Sequence, residues 1–269
     1  MTNRSFASRG WLTLMLVFVS LAAWSQAGIT ASPTRLYFQP GKKAEQRVTV
    51  TNPNADKPLE VGISLNDWNY DSLGNNLSYD AGTIPSSCAK NVTVLPGSYF
   101  TLAPGESKEI TVSVHDVPND PANPVRTAML YLTQLNPGDG FSEKGAAIKV
   151  TVRMGIKIYY TAQTKAKGDV EISNYLAQKK NGKMESLKLY LDNTGSLWVN
   201  GTIHYDLLNK ETGRKFEIPA IEFYSLPGDK RVFSSNLPAD LEKGSYTATA
   251  IVNIGDNEEL KLAELDFTY

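Results

Sequence analysis

The chain has a single cysteine, Cys88, and only two histidines, His115 and His204. One thiol cannot close an internal disulfide, so any fold must be held by its apolar cores alone. Cys88 stands between Ser87 and Ala89, neighbours that give no cue for a depressed thiol pKa, and it reads as a partly buried structural thiol. The two histidines and one cysteine do not cluster at zinc spacing. No glycine-rich phosphate loop follows a strand, and there is no GxSxG nucleophile elbow. Asp116 and Asp120 flank a Pro-Asn turn and read as solvated turn residues rather than a calcium site. These absences argue against an enzyme, and no metal or cofactor is implied. Long stretches of helical periodicity are also missing, with Asp240 to Lys243 at most one turn.

A basic excess is missing too. The 269 residues carry a formal net charge of −1, and the only charges in the first 27 are Arg4 and Arg9. That leaves 25 basic against 28 acidic residues beyond Ala27. Such a balance gives no reason to expect nucleic acid as a partner. Residues 1–27 have the form of a secretory signal peptide. Arg4 and Arg9 precede an apolar run from Trp11 to Ala23, and Ser25-Gln26-Ala27 offers a cleavage site. The run is short for a membrane span.

What remains is rich in strand signals. Arg47 to Thr51, Leu59 to Leu65, Glu109 to Val114, Ile148 to Val152, Leu187 to Leu191 and Tyr246 to Val252 alternate in polarity. Turn chemistry separates them, as at Asn52-Pro53-Asn54, Ala103-Pro104-Gly105, Asn136-Pro137-Gly138 and Pro227-Gly228-Asp229. Short strands at this spacing predict an all-β protein of immunoglobulin-like sandwiches. The polar run from Thr161 to Asp169 reads as a linker, and a fresh strand pattern begins at Val170. Two β-sandwich domains are expected, 28–163 and 164–269.

Four motifs in order resemble the PapD-like periplasmic chaperones of chaperone–usher systems. Ile29 to Phe38 is similar to the family's first strand, with Arg35 before an apolar triplet. Val48-Thr49-Val50-Thr51-Asn52-Pro53 is similar to the second. Phe100 to Ser107 resembles the Pro-Gly turn before a Val-rich strand. AIKVTVRMGIKIYY, Ala147 to Tyr160, resembles the long last strand of the first domain, with Lys157 near its end. The resemblance spans about 130 residues.

The resemblance implies an L- or boomerang-like pair of domains, a periplasmic location, and donor-strand complementation of fimbrial or pilus subunits awaiting assembly. Subunits are the implied partners, with an outer-membrane usher as a further one and no small-molecule substrate. Ile148, Val150, Val152 and Met154 share one face at period-2 spacing and match the donor strand. Arg35 and Lys157 match the pair that holds the subunit's C-terminal carboxylate between the domains. Lys157 has the opposite parity to Ile148. Gly155 between them marks a bulge unless the cleft lies on the opposite face. Two positions depart from the family: Thr127 stands where glutamate is expected and Thr161 where arginine is, so the charged network between domains is expected to be absent. The short connection from Asn136 to Ala146 resembles the short-loop members.

Two other readings compete. One is a structural or adhesive surface protein built of sandwich modules. The other is a glycan-binding sandwich or enzyme that stacks sugar on Trp68, Tyr70, Trp198 or Tyr205.

Overall fold

A computed structural model describes residues 28–141, 145–180, 183–255 and 260–269. The expected signal peptide, 1–27, lies outside the described residues. The first half of the chain supplies β1 (Thr30–Ser32), β2 (Arg35–Phe38), β3 (Glu45–Thr51), β4 (Leu59–Tyr70), β5 (Asn76–Tyr79) and β6 (Val92–Leu95). It continues with β7 (Tyr99–Leu102), β8 (Ser107–Val114), β9 (Arg126–Gln134), β10 (Gly138–Phe141), β11 (Ala147–Val150) and β12 (Arg153–Tyr160). The second half supplies β13 (Val170–Lys180), β14 (Lys183–Asn193), β15 (Val199–Asn209) and β16 (Lys215–Ser225). It closes with β17 (Lys230–Asn236), β18 (Ser245–Ile254) and β19 (Leu260–Thr268). Asp240 to Lys243 forms no helix, and the one helical element among the described residues is a 3-10 turn, Ala89–Asn91.

These strands make two immunoglobulin-like sandwiches. In the first, the sheet β1-β3-β8-β6 faces the sheet β2-β12-β9-β4-β5, with β7 also on β4. In the second, β13-β14-β17 faces β16-β15-β18-β19. Alternation dictates which side chains go inward. Val48 and Val50 of β3 are buried while Arg47 and Thr49 are exposed. On β18, Tyr246, Ala248, Ala250, Val252 and Ile254 are all buried. One core gathers residues from Ile29 to Ile158, the other from Val170 to Phe267.

Strand β9 departs from simple alternation: Thr127 to Leu130 are buried without a break. Such a run needs cover on both faces of its sheet. Ala128, Leu130 and Leu132 enter the first core. Met129 enters a third cluster with Trp68, Val125, Tyr159 and Leu226, flanked by Trp198. Leu226 and Trp198 come from the second sandwich, so this cluster is the junction between the two. Tyr37 stacks on Tyr159 at 4.9 Å, and Trp198 lies 5.2 Å from Tyr37 and 5.6 Å from Tyr159. A backbone bond from Val232 to the Ser72 carbonyl, 2.8 Å, also crosses it.

Thr127 and Thr161 are both buried here. Thr127 donates to the Trp68 carbonyl at 2.9 Å. The linker is tied at both ends: Thr161 N–H donates to Phe38 and Ser196 N–H to Lys167. Cys88 is more deeply buried than its neighbours suggested, and burial pushes its thiol up to about 12.

Candidate carboxylate cleft and edge strand

Strand β12 runs parallel to β2, and the register pairs Lys157 with Arg35 directly. The Lys157 N–H donates to the Thr34 carbonyl at 2.9 Å. Neighbours in register project to the same face. That face is opposite the one carrying Ile156 and Ile158 into the first core, and it is the face the second sandwich covers. The difference in parity between Ile148 and Lys157 thus needs no bulge. The β9–β12 register runs unbroken through Gly155. Gly155 is there for space instead: a Cβ would lie 2.8 Å from the Met129 sulfur and 3.3 Å from the Tyr131 ring.

The side chains above this pair are aromatic and cationic. Lys157 Nζ donates to the Tyr70 hydroxyl at 2.9 Å. It sits 4.3 Å from the Tyr70 ring centre and 4.6 Å from that of Trp68. The Arg35 guanidinium lies 3.9 Å over the ring of Tyr224, from the second sandwich, and its buried Nε has no hydrogen-bond partner. A third cation, Arg231, comes from β17 of the second sandwich. Its guanidinium is 5.0 Å from the Tyr70 ring and donates to the Tyr224 carbonyl. It also packs against Gly74, whose φ of +93° and missing Cβ leave the space it occupies.

Among the described residues, no carboxylate lies within ion-pair distance of Arg35, Lys157 or Arg231. The electrostatic consequence falls on Lys157. Burial, and then the charges of Arg35 and Arg231, pull its ammonium down to about 8. Asp229 acts on Arg231 and Tyr70, and burial pushes its own carboxyl up to about 6. Arg35 and Arg231 thus lie close enough to Lys157 to disfavour its charge, while Asp229 and Asp71 act on Arg231.

The apolar row lies at the other end of the same ribbon. Ile148 and Val150 of β11 are 42% and 43% exposed. Strand β11 pairs only with β10 among the described residues. Its other edge is open, as is that of β12 until β2 joins at Lys157. The expected single strand from Ala147 to Tyr160 is broken, however, and the expected strand Ile148 to Val152 stops at Val150. Thr133 pairs with Arg153 in one ladder, but Gly138 pairs with Val150 in the next, so two extra residues fall on the β9 side. They are drawn off to β4: the Leu135 N–H donates to the Glu60 carbonyl, and the Asn136 side chain accepts from Glu60 and donates to Pro58. Val152 and Met154 are half-buried, unlike Ile148 and Val150. The tip of the connection, 142–144, lies outside the described residues.

The fold sets Arg35 and Lys157, both singled out in the sequence, side by side in register, and sequence reasoning missed Arg231, Tyr224 and Asp67. Asp67 is fully buried, accepts from Thr83, Ile84 and Ser87, and so fastens the segment leading to Cys88. Of the sugar-stacking candidates, Trp68 is 0% exposed with its indole N–H on the Ala128 carbonyl, and Tyr205 is buried. Both are core residues. Asp120 caps Ala122 and pairs with Arg126, as a turn residue does.

No family model and no curated protein matches the chain. Among solved structures, it is similar to the YadV chaperone, with 14% identity over 89% of this chain and 99% of that one, at a TM-score of 0.47. It is also similar to a chain of the CsuC–CsuE chaperone–tip adhesion subunit complex of Acinetobacter baumannii, at 14% identity, 88% and 97% coverage and a TM-score of 0.48. The E. coli chaperone DraB gives 17% identity, 88% and 96% coverage and a TM-score of 0.47.

Proposed function

We propose that this chain is a periplasmic chaperone for pilus or fimbrial subunits. It binds a subunit's C-terminal carboxylate on Arg35 and Lys157 and lays its β11 edge, with Ile148 and Val150, into the subunit's open groove. Val152 and Met154 extend the same row toward the body of the sandwich. The observation that carries the reading is the in-register Arg35–Lys157 pair, with no carboxylate of the described residues within ion-pair distance. A carboxylate there gains charge-assisted hydrogen bonds from both cations and relieves their mutual repulsion. The open edge supplies main-chain donors and acceptors to an incoming strand, and two exposed apolar side chains at period two supply the plugs. An apolar edge left open is an aggregation hazard, which favours a use for it.

The test is to purify the tagged chain from the periplasm and identify its companions by mass spectrometry. A secreted all-β subunit should accompany the native chain. It should be lost from Arg35→Ala and Lys157→Ala, since removing one partner of a desolvated charge pair costs about 2–5 kcal/mol. Both variants should unfold at the native temperature or above it. Retention of the same partner by both variants would refute the anchor. Recovery of the chain itself in an assembled surface fibre would favour the structural-protein reading instead.

A further inference from the structure

The Tyr70 hydroxyl lies against Lys157 within the field of Arg35 and Arg231, and its hydrogen bonds can be counted. Lys157 Nζ, which has no lone pair, donates to it at 2.9 Å. The Tyr159 hydroxyl is the other neighbour, 3.3 Å away. Tyr159 is 2% exposed, and Tyr70 is the only hydrogen-bond partner its hydroxyl has among the described residues. A buried donor left without an acceptor is costly, so Tyr159 donates as well. Both acceptor sites of the Tyr70 oxygen are then filled, and its own proton has no partner. Arg35, Lys157 and Arg231 around it donate and do not accept, and the Asp229 carboxylate, which acts on Tyr70 through space, is engaged by Leu226 and Ser225 rather than by this hydroxyl. Burial keeps the phenol protonated by pushing it above its ordinary range. The ring is fixed edge-on to Trp68 at 5.0 Å, with Arg231 5.0 Å from it.

We propose that Tyr70 donates its free hydroxyl proton to the carboxylate bound by Arg35 and Lys157, forming a third arm of the clamp. The inference rests on the carboxylate reading given above and adds a donor to that same site. An oxygen resting on Lys157 Nζ is within reach of a hydroxyl that itself lies 2.9 Å from that nitrogen. Three donors converging on one group select for a pure acceptor. An α-amide would turn its own N–H groups toward Arg35, Lys157 and the phenol, and is rejected.

The experiment titrates the full chain with an N-acetyl tripeptide bearing a free α-carboxylate, and with the same tripeptide as its α-amide. The native protein should prefer the acid. Tyr70→Phe keeps the ring over Lys157 and Arg231 but removes the donor, and should lower acid binding roughly tenfold, as for one charge-assisted hydrogen bond, leaving amide binding unchanged. Should Tyr70→Phe unfold because Tyr159 has lost its acceptor, the same split is read on the pair Tyr70→Phe with Tyr159→Phe, which removes the orphan. An acid preference that disappears in Lys157→Ala but survives intact in Tyr70→Phe would overturn the third arm and leave the clamp standing. No acid preference in the native chain would overturn the clamp itself.

Discussion

At the scale of single residues, the cleft is defined by what its charges lack. Lys157 is charged near neutrality, but burial and the charges of Arg35 and Arg231 pull its ammonium down to about 8, well below the ordinary lysine range. A depressed lysine favours the folded empty state at high pH, above 10.5, and this contribution is lost as pH falls through about 8. Binding has the opposite sign, because a carboxylate needs the ammonium. Affinity for the acid tripeptide should therefore fall as pH rises through about 8, well before an ordinary lysine would let go. The other groups facing the cleft stay out of this window. Tyr37, Tyr70 and Tyr159 are pushed up by burial, Arg35 and Arg231 remain charged, and Asp229 titrates below the window, at about 6. Isothermal titration from pH 7 to 10 reads this directly, and in Lys157→Arg the fall should vanish. A flat profile in the native protein would mean Lys157 does not touch the ligand.

At the scale of elements, much was legible because alternation is a local signal. Arg47 to Thr51, Leu187 to Leu191, Tyr246 to Val252 and the start at Val170 all fall inside strands. The pairing of Arg35 with Lys157 was legible only through the resemblance, since nothing local to either residue states that β2 and β12 are neighbours. The break at residues 151–152 was not legible at all. It is caused by Leu135 and Asn136 choosing partners on β4, some seventy-five residues earlier in the chain. Arg231 and Tyr224 escaped notice for a similar reason. They lie on strands of the other sandwich and meet Tyr70 and Arg35 only across the junction. The break also divides the apolar row into two kinds of position, and a prediction follows from the division. Ile148→Asp and Val150→Asp alter exposed side chains on an open edge. They should shift unfolding by no more than about 0.5 kcal/mol while abolishing subunit capture. Val152→Asp introduces a charge at a half-buried site and should lower the unfolding temperature as well. Differential scanning calorimetry beside a pull-down separates the two effects.

At the scale of the whole molecule, the junction explains how the site is built. A sheet buried on both faces carries its core residues on one side and the clamp on the other. The aromatic stack of Tyr37, Tyr159 and Trp198 sets the second sandwich over that face, and Arg231 and Tyr224 arrive with it. The cleft thus belongs to both sandwiches, whereas the β11 edge belongs to the first alone. The central claim is that these two features grip one subunit together. The most direct measurement places a photo-cross-linking amino acid at position 148 in the periplasm-expressed chain, with and without Arg35→Ala. The account predicts one adduct, to a secreted β-rich subunit, that is lost when Arg35 is replaced. An adduct that persists unchanged without Arg35, or no adduct beside a subunit that still co-purifies, would contradict it.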